Sequence, residues 1–416
     1  MNTLIVAIGS QGDVNPFVRI GMALKQKGHA VTVLSNDYFK KLVRSAGLDF
    51  ASVGSVEDYQ KMVNEVDLRN PTRTTRAIMK HLYFPAIETV YDAIAERNRP
   101  GETVVIGITM AFGARIAREK LGIPLITCHL APVSFPSVHR PAKMDGCWMP
   151  PWMPTVYKAG LWRLIDMVAD MFLGPPINRV CRRLDLPPAR SIIKCWLHSP
   201  DKVIGLFPGW FADPQPDWPR QSETINFVFF DAAEQTPMPP TLVKFIAGGD
   251  PPIVFSAGTA VRHAADFFNT AVDACGRLNV RGVLVSRYKD QIPSDLPQHI
   301  HYCEYAPFSK LFPQASALVH HGGIGTCAQA LRAGIPQLIT PFGLDQPDNA
   351  ARLVHLGVGA MLRMKKCRGA TMAHRLAVLM ANGDVQERCR IIRDELKSMD
   401  PVSDICRTIE NHCEGS

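Results

Sequence analysis

No stretch of this 416-residue chain reaches the 18 or more apolar residues that a membrane-spanning helix requires. Runs of five or six like charges are missing as well, which removes the basic stripe of a dedicated nucleic-acid binder. The balance of 46 Lys and Arg against 38 Asp and Glu leaves a net charge of +8, suited to weak attraction toward anionic ligands or an anionic membrane surface. None of the eleven cysteines forms a C-x-x-C pair, and their scatter fits neither zinc nor disulfide spacing. Cys128, Cys195, Cys275 and Cys303, in strand-like or helical runs, read as small buried hydrophobes. No Asp-x-Asp occurs and no His/Cys/Asp cluster has metal-ligand spacing, so neither a metal nor a separate cofactor is expected. The opening MNTLIVAIGSQGD has no basic n-region and too short an apolar run for a secretory signal. A reducing compartment is expected, hence the cytoplasm, with contact at the inner face of the cell membrane as a further expectation.

What is present is a globular balance, 46% apolar and 20% charged, over a length that implies two or three domains. Apolar runs TLIVAIG (3–9), HAVTVLS, LDFASVG, TVVIGI (103–108) and PLITCHL (124–130) alternate with helical spacing. The first helix is expected to be capped by Asn15, with Pro16 in its first turn and Gly28 at its end. The alternation restarts near residue 252 with PIVFSAGT, GVLVSR, HIHYCEY, SALVHH and PQLITPF. Strand, helix, strand in repetition predicts an α/β class of two Rossmann-like, doubly wound domains facing a cleft. The expected boundaries are 1–228, a linker at 229–240, 241–395, and a terminal helix at 396–416 that packs back on the first domain.

One region departs from this rhythm. All six tryptophans (148, 152, 162, 196, 210, 218) fall in one proline-rich stretch, too interrupted around WMPPWMPTVYKAGLWRLIDMVADMFL to read as one continuous helix. It reads as ordinary core plus a long loop, or as an apolar acceptor pocket or membrane-touching surface, with Trp148 and Trp152 as acceptor candidates.

The strongest chemical signal is ALVHHGGIGTCAQALRAGIPQLITPFGLDQPDNAARL (317–353). A strand runs into His320-His321-Gly322-Gly323-Ile324-Gly325-Thr326 and a helix begins at once, an arrangement that offers amides to a phosphate. The same turn fits G-x-G-x-x-A with Asp345 about twenty residues on, which keeps a NAD-binding oxidoreductase as an alternative. Asp345 sits, however, in a polar turn that opens a helix, where a dinucleotide fold wants an acid ending a strand.

The segment from Tyr305 to Asn349 resembles the donor-binding signature of family 1 glycosyltransferases of the two-domain GT-B fold, through Tyr305-Ala306-Pro307, His321-Gly322-Gly323, Gly325-Thr326 and Asp345-Gln346. Gly9-Ser10-Gln11-Gly12-Asp13-Val14-x-Pro16 is similar to the motif of sterol and antibiotic glycosyltransferases, and the whole chain, including LFPGWFADPQPDWP (206–219), most resembles the bacterial rhamnosyltransferase chain of rhamnolipid synthesis and its relatives. That resemblance implies an inverting transfer of a hexose or deoxyhexose from a UDP- or dTDP-sugar to a hydroxyl of an apolar lipid or aglycone. It assigns the diphosphate to His321, Gly323, Gly325, Thr326 and Thr259, the base to Tyr305 and the Ala306 backbone, the sugar to Asp345 and Gln346, and the general base to Asp13. Gln329 stands where the family often has a ribose-gripping Glu, leaving UDP against dTDP open. A catalytically idle partner protein keeping the same fold is the remaining alternative.

Overall fold

The computed structural model of the chain describes residues 1–66, 70–144, 149–230, 237–259 and 261–414. Two compact units emerge, Met1–Met62 with Thr75–Phe230 and Asp400–Ser416, and Val63–Thr74 with Asp231–Met399. The expected linker at 229–240 falls partly outside the described residues.

In the first unit the five apolar runs form β1 (Asn2–Val6), β2 (Ala30–Ser35), β3 (Asp49–Ser52), β4 (Thr103–Ile108) and β5 (Leu125–His129), and two strands not expected from the sequence follow, β6 (Lys202–Leu206) and β7 (Ser222–Ile225). They pair in parallel in the order β3-β2-β1-β4-β5-β6-β7, with Leu4 opposite Thr32 on one side and Val105 on the other. β1 and β4 are buried along their whole length, so both faces need apolar side chains and the sequence shows runs instead of alternation. The strand order reverses between β1 and β4, opening a crevice beyond their carboxyl ends, where Gly9–Asp13 and Thr109 sit.

The second unit repeats the plan with β8 (Ile253–Ser256), β9 (Gly282–Val285), β10 (Ile300–Cys303), β11 (Ala317–His320), β12 (Gln337–Ile339) and β13 (Gly359–Met361), all parallel, ordered β10-β9-β8-β11-β12-β13. Alternate residues serve opposite faces. Phe255, Leu284 and Val319 join Phe267 and Phe268 on one side, while Val254, Val283 and Leu318 join Leu311 and Phe312 on the other. Here the reversal falls between β8 and β11, placing the turns at Thr259 and His321 side by side.

Three local expectations are corrected. The first helix is Gln11–Gln26, not a helix capped by Asn15: Ser10 is its N-cap and Asp13 returns a carboxylate oxygen to Ser10, so the start moves ahead of Pro16, which lies inside the helix. The prolines at 150, 151 and 154 all precede a continuous 29-residue helix, Thr155–Arg183, which runs through Pro175 and Pro176. The carbonyls those prolines leave without a donor belong to Met171 and Phe172, both exposed, so water can satisfy them. Cys128, Cys275 and Cys303 are buried, but Cys195 is exposed because Ile192–Trp196 forms a wide helical turn at the surface. The final helix, Pro401–Glu414, lies in the first unit, where Glu410 meets Lys27 and His29 at 2.5 and 2.9 Å.

Candidate active site

In the second unit, β11 ends at His320 and the chain turns through His321, Gly322 (φ 96°) and Gly323 into the helix Ile324–Ala333. The two histidines part ways. The His320 ring is buried, with Nε2 3.0 Å from Gln337 Oε1, while Nδ1 accepts from the Gly322 N–H at 3.2 Å. Those contacts fix it as a brace under the turn, and burial pushes its pKa down to about 3. The His321 ring lies parallel to Phe342 at a centroid separation of 6.4 Å, and its buried Nδ1 has no hydrogen-bond partner. Burial lowers its pKa to about 4, so at neutral pH it is an uncharged imidazole able to offer one N–H.

Glycines frame that ring. A Cβ on Gly258 (φ 100°) would stand 2.8 Å from His321 Cε1, and one on Gly323 would stand 2.5 Å from Nε2. Only glycine at both positions lets the imidazole lie against the backbone. Gly323 caps the helix without a side-chain hydrogen bond. The first amides of any helix lack intrahelical acceptors, and helix termini of this kind favour anions. Thr326 and Gln329 follow on the same helix, the first partly accessible in its opening turn, the second one turn further on. Thr259 follows Gly258 on the neighbouring turn, so the strand reversal brings it beside His321.

Asp345 is the N-cap of the helix Gln346–His355. Asn349 Nδ2 donates to Asp345 Oδ2 at 2.7 Å and to the Gly322 carbonyl at 3.0 Å, tying this helix start to the glycine turn. Gln346 Oε1 accepts from the Phe342 N–H at 2.8 Å, leaving its amide nitrogen as the donating end. Leu344 holds φ 60° in the loop before Asp345, a conformation costing about 1–2 kcal/mol for a non-glycine residue. An acid that caps a helix is wrongly placed for the ribose contact of a dinucleotide fold, so the NAD alternative loses its acidic residue.

Tyr305 and Ala306 follow β10, at the same carboxyl edge of the sheet, with Ala306 buried and the Tyr305 carbonyl accepting from Cys303 Sγ at 2.9 Å. The guanidinium of Arg287, just past β9, lies 5.8 Å from the Tyr305 ring centroid. Sequence reading missed Arg287. The signal was a basic residue two positions past the apolar strand GVLV.

In the first unit, Asp13 Oδ2 accepts from the Ser10 N–H at 2.7 Å and Ser10 Oγ at 2.8 Å. Gly9 (φ 141°) makes room for this carboxylate, since a Cβ there would stand 2.5 Å from Oδ2. Burial raises the Asp13 pKa, and the two bonds from Ser10 hold it partly in check. The Tyr83 hydroxyl donates to the neighbouring Ile8 carbonyl at 3.2 Å, and its own pKa rises through burial and the Asp13 charge. His129, an imidazole at the end of β5, is ill placed to act as a base in place of Asp13. It is fully buried, with Nδ1 2.8 Å from Thr109 Oγ1 and Nε2 2.9 Å from His198 Nδ1, and its pKa is driven far down by burial. Of the acceptor candidates, Trp148 lies outside the described residues and Trp152 is 75% exposed in the turn before the long helix.

Comparison with known proteins agrees at both ends of the chain. Residues 3–139 match the glycosyltransferase family 28 N-terminal domain, and residues 271–411 match the erythromycin biosynthesis protein CIII-like C-terminal domain. O-mycaminosyltylonolide 6-deoxyallosyltransferase of Streptomyces fradiae is 27% identical over 100% of this chain and 98% of its own length. Vancomycin aglycone glucosyltransferase of Amycolatopsis orientalis is 27% identical over 86% of this chain and 85% of its own. The crystal structure of glycosyltransferase VinC in complex with dTDP superposes with a TM-score of 0.70 at 18% identity, covering 100% of both chains.

Proposed function

Because the chain belongs to the GT-B glycosyltransferases, we propose that it moves a hexose or deoxyhexose from a dTDP- or UDP-sugar to a hydroxyl of an apolar acceptor, inverting the anomeric carbon. The observation that carries the donor half is the buried His321 Nδ1 without a partner, set between two glycines beside an uncapped helix terminus. A diphosphate oxygen supplies the missing partner, and the amides after Gly323, with Thr326 and Thr259, take the remaining charge. This donor set is neutral and rich in N–H and O–H groups, so it works by hydrogen bonding and needs no divalent metal or separate cofactor. Tyr305 stacks on the base, with the Ala306 backbone at its edge and Gln329 toward the ribose; Asp345 and Gln346 hold the sugar hydroxyls. Gln in place of Glu weakens a two-hydroxyl grip, which favours the deoxyribose of dTDP, the nucleotide bound in VinC.

In the reaction, the acceptor oxygen forms a bond to the anomeric carbon as the bond to the diphosphate oxygen breaks. The bonding pair leaves on the diphosphate, and the hydroxyl proton passes to Asp13. A carboxylate whose pKa is raised by burial is a stronger proton acceptor than an ordinary aspartate. The acceptor class is an aglycone or a hydroxylated lipid, the latter in keeping with the rhamnolipid-type resemblance of residues 206–219. The site of action is the cytoplasm.

Calorimetric titration of dTDP and UDP into wild type and His321→Ala tests the donor site. The expected loss is about 1.5–3 kcal/mol, roughly 10- to 150-fold in affinity. Equal affinities in the two proteins would sink the assignment, and a product with retained anomeric configuration would sink the inverting step.

A further inference from the structure

The first half of the helix Thr155–Arg183 is built inside out. Toward the protein it turns Lys158 and Asp166, buried on either side of Trp162, whereas the second half buries Leu173, Ile177, Val180 and Cys181 in the ordinary way. Asp166 Oδ1 accepts from the Ile193 and Lys194 amides at 3.0 and 3.2 Å, and the two oxygens of Asp170 accept from Ser191 and Ile192, both at 2.8 Å. Trp162 Nε1 donates to the Ser137 carbonyl at 3.0 Å. Polar anchors thus hold the inner face. Away from the protein the helix presents Val156, Tyr157, Leu164, Met167, Val168 and Met171, each between 50% and 78% exposed. A surface helix ordinarily puts these two classes the other way round.

Steps of three, four and seven residues keep this set on one stripe, about 24 Å long at ~1.5 Å per residue. The exposed charges on the helix are all basic: Arg163 lies within the stripe and Arg179 and Arg182 beyond its end, while Arg183 pairs with Glu88. The span 155–200 carries seven Lys and Arg against three Asp, and two of those aspartates are the inward-turned Asp166 and Asp170.

We propose that this face seats the protein on an anionic bilayer surface. The helix lies in the membrane plane, its apolar side chains enter the boundary between headgroups and acyl chains, and its arginines meet lipid phosphates. No helix among the described residues is long and apolar enough to cross a membrane, so the contact is a surface one. A second copy of the chain fits poorly, because a two-fold contact on this stripe would set arginine against arginine. A single small acceptor fits poorly too, because the face is a convex helix where small molecules take concave sites. The proposal rests on this helix alone and stands whether or not the sugar acceptor is a lipid.

Vesicle flotation with the full chain tests it, comparing phosphatidylcholine–phosphatidylglycerol (7:3) with pure phosphatidylcholine. Wild type is expected to float with the anionic vesicles, more weakly with the neutral ones, and less as salt rises. Met167→Glu/Met171→Glu should lower the partition coefficient at least tenfold. Arg163→Gln/Arg179→Gln, which leaves the apolar stripe intact, should lower it about 25-fold on anionic vesicles, at about fivefold per arginine, and leave neutral vesicles unaffected. Thermal melts establish that each variant is folded, and either variant alone suffices as the test. No flotation of wild type with anionic vesicles, or full flotation of both folded variants, overturns the proposal. So does a wild-type dimer in sedimentation velocity that Met167→Glu/Met171→Glu converts to monomer, since the face would then be an interface between copies.

Discussion

The turn after β1 and the turn after β11 share one plan: a buried parallel strand, a glycine at positive φ, and a helix N-terminus at the point of strand reversal. They differ in who supplies the negative charge. After β1 the helix start is served from within, since Asp13 at the third helical position turns its carboxylate back to Ser10. After β11 the same position is Thr326, the cap is glycine, and the nearby imidazole is uncharged. The first turn therefore holds a buried carboxylate of its own, and the second has none at that position. On the function proposed above, one residue at one helical position makes such a strand–turn–helix unit a base or a phosphate cradle.

The largest expected effect comes from removing the internal anion. Asp13→Asn keeps an oxygen for Ser10 but cannot take a proton, so glycosyl transfer should fall about 10²–10⁴-fold. The melting temperature should hold or rise. A native pKa above 3.8 means that the folded state binds this proton more tightly than the unfolded chain does. That contribution to stability is present at acid pH and lost as pH rises through the native value, leaving the buried carboxylate a net cost at pH 7. A variant as active as wild type would remove Asp13 from the chemistry; one that is inactive and much less stable would reduce it to a cap.

The second turn should respond to acid in the opposite sense. His321 and His320 titrate near 4 and 3 in the folded protein, against 6.5 when unfolded, so their contribution is complete above pH 6.5 and is lost as pH falls through about 4. Chemical denaturation of wild type from pH 7 to 4 should show a decline of a few kcal/mol, and His321→Asn should flatten part of it. A decline identical in both proteins would mean that His321 is not held neutral by burial.

The smallest expected effect makes the two turns alike. Thr326→Asp gives the second helix a carboxylate at the position Asp13 holds in the first. It should stabilise the apo protein by about 0.3–1 kcal/mol and weaken dTDP or UDP binding by repulsion. Unchanged nucleotide affinity would mean that the anion does not sit at this terminus.

Much of this was legible in the sequence, for a physical reason: strands buried on both faces must be apolar runs, and such runs marked β1–β5 and β8–β12, whereas β6, β7 and β13 were not anticipated. The His321 turn was legible because glycine spacing and a strand-to-helix switch reflect backbone geometry directly. Prolines misled twice. Pro16 drew the first helix start too far along, and the prolines around Trp148 and Trp152 hid the long helix that follows them. What decided the first case was the Asp13–Ser10 capping contact; in the second, the prolines at 150, 151 and 154 precede the helix and do not interrupt it. Arg287 escaped because its partner, Tyr305, follows a different strand, β10. The segment Val63–Thr74, which joins the second unit although it lies within the first third of the chain, has no compositional mark at all.

The ion pair between Lys27 and Glu410 spans a sequence separation of 383 residues. On a ribosome adding about 5–20 residues per second, the first helix therefore waits roughly 20–75 seconds for the partner that covers it. Through that interval the nascent first unit shows an unfinished flank beside Lys27 and His29, and the second unit is synthesised in full before the flank can close. The helix Pro401–Glu414 acts as a clasp in time as well as in space, so that its own synthesis is the event that lets the first unit cover this flank.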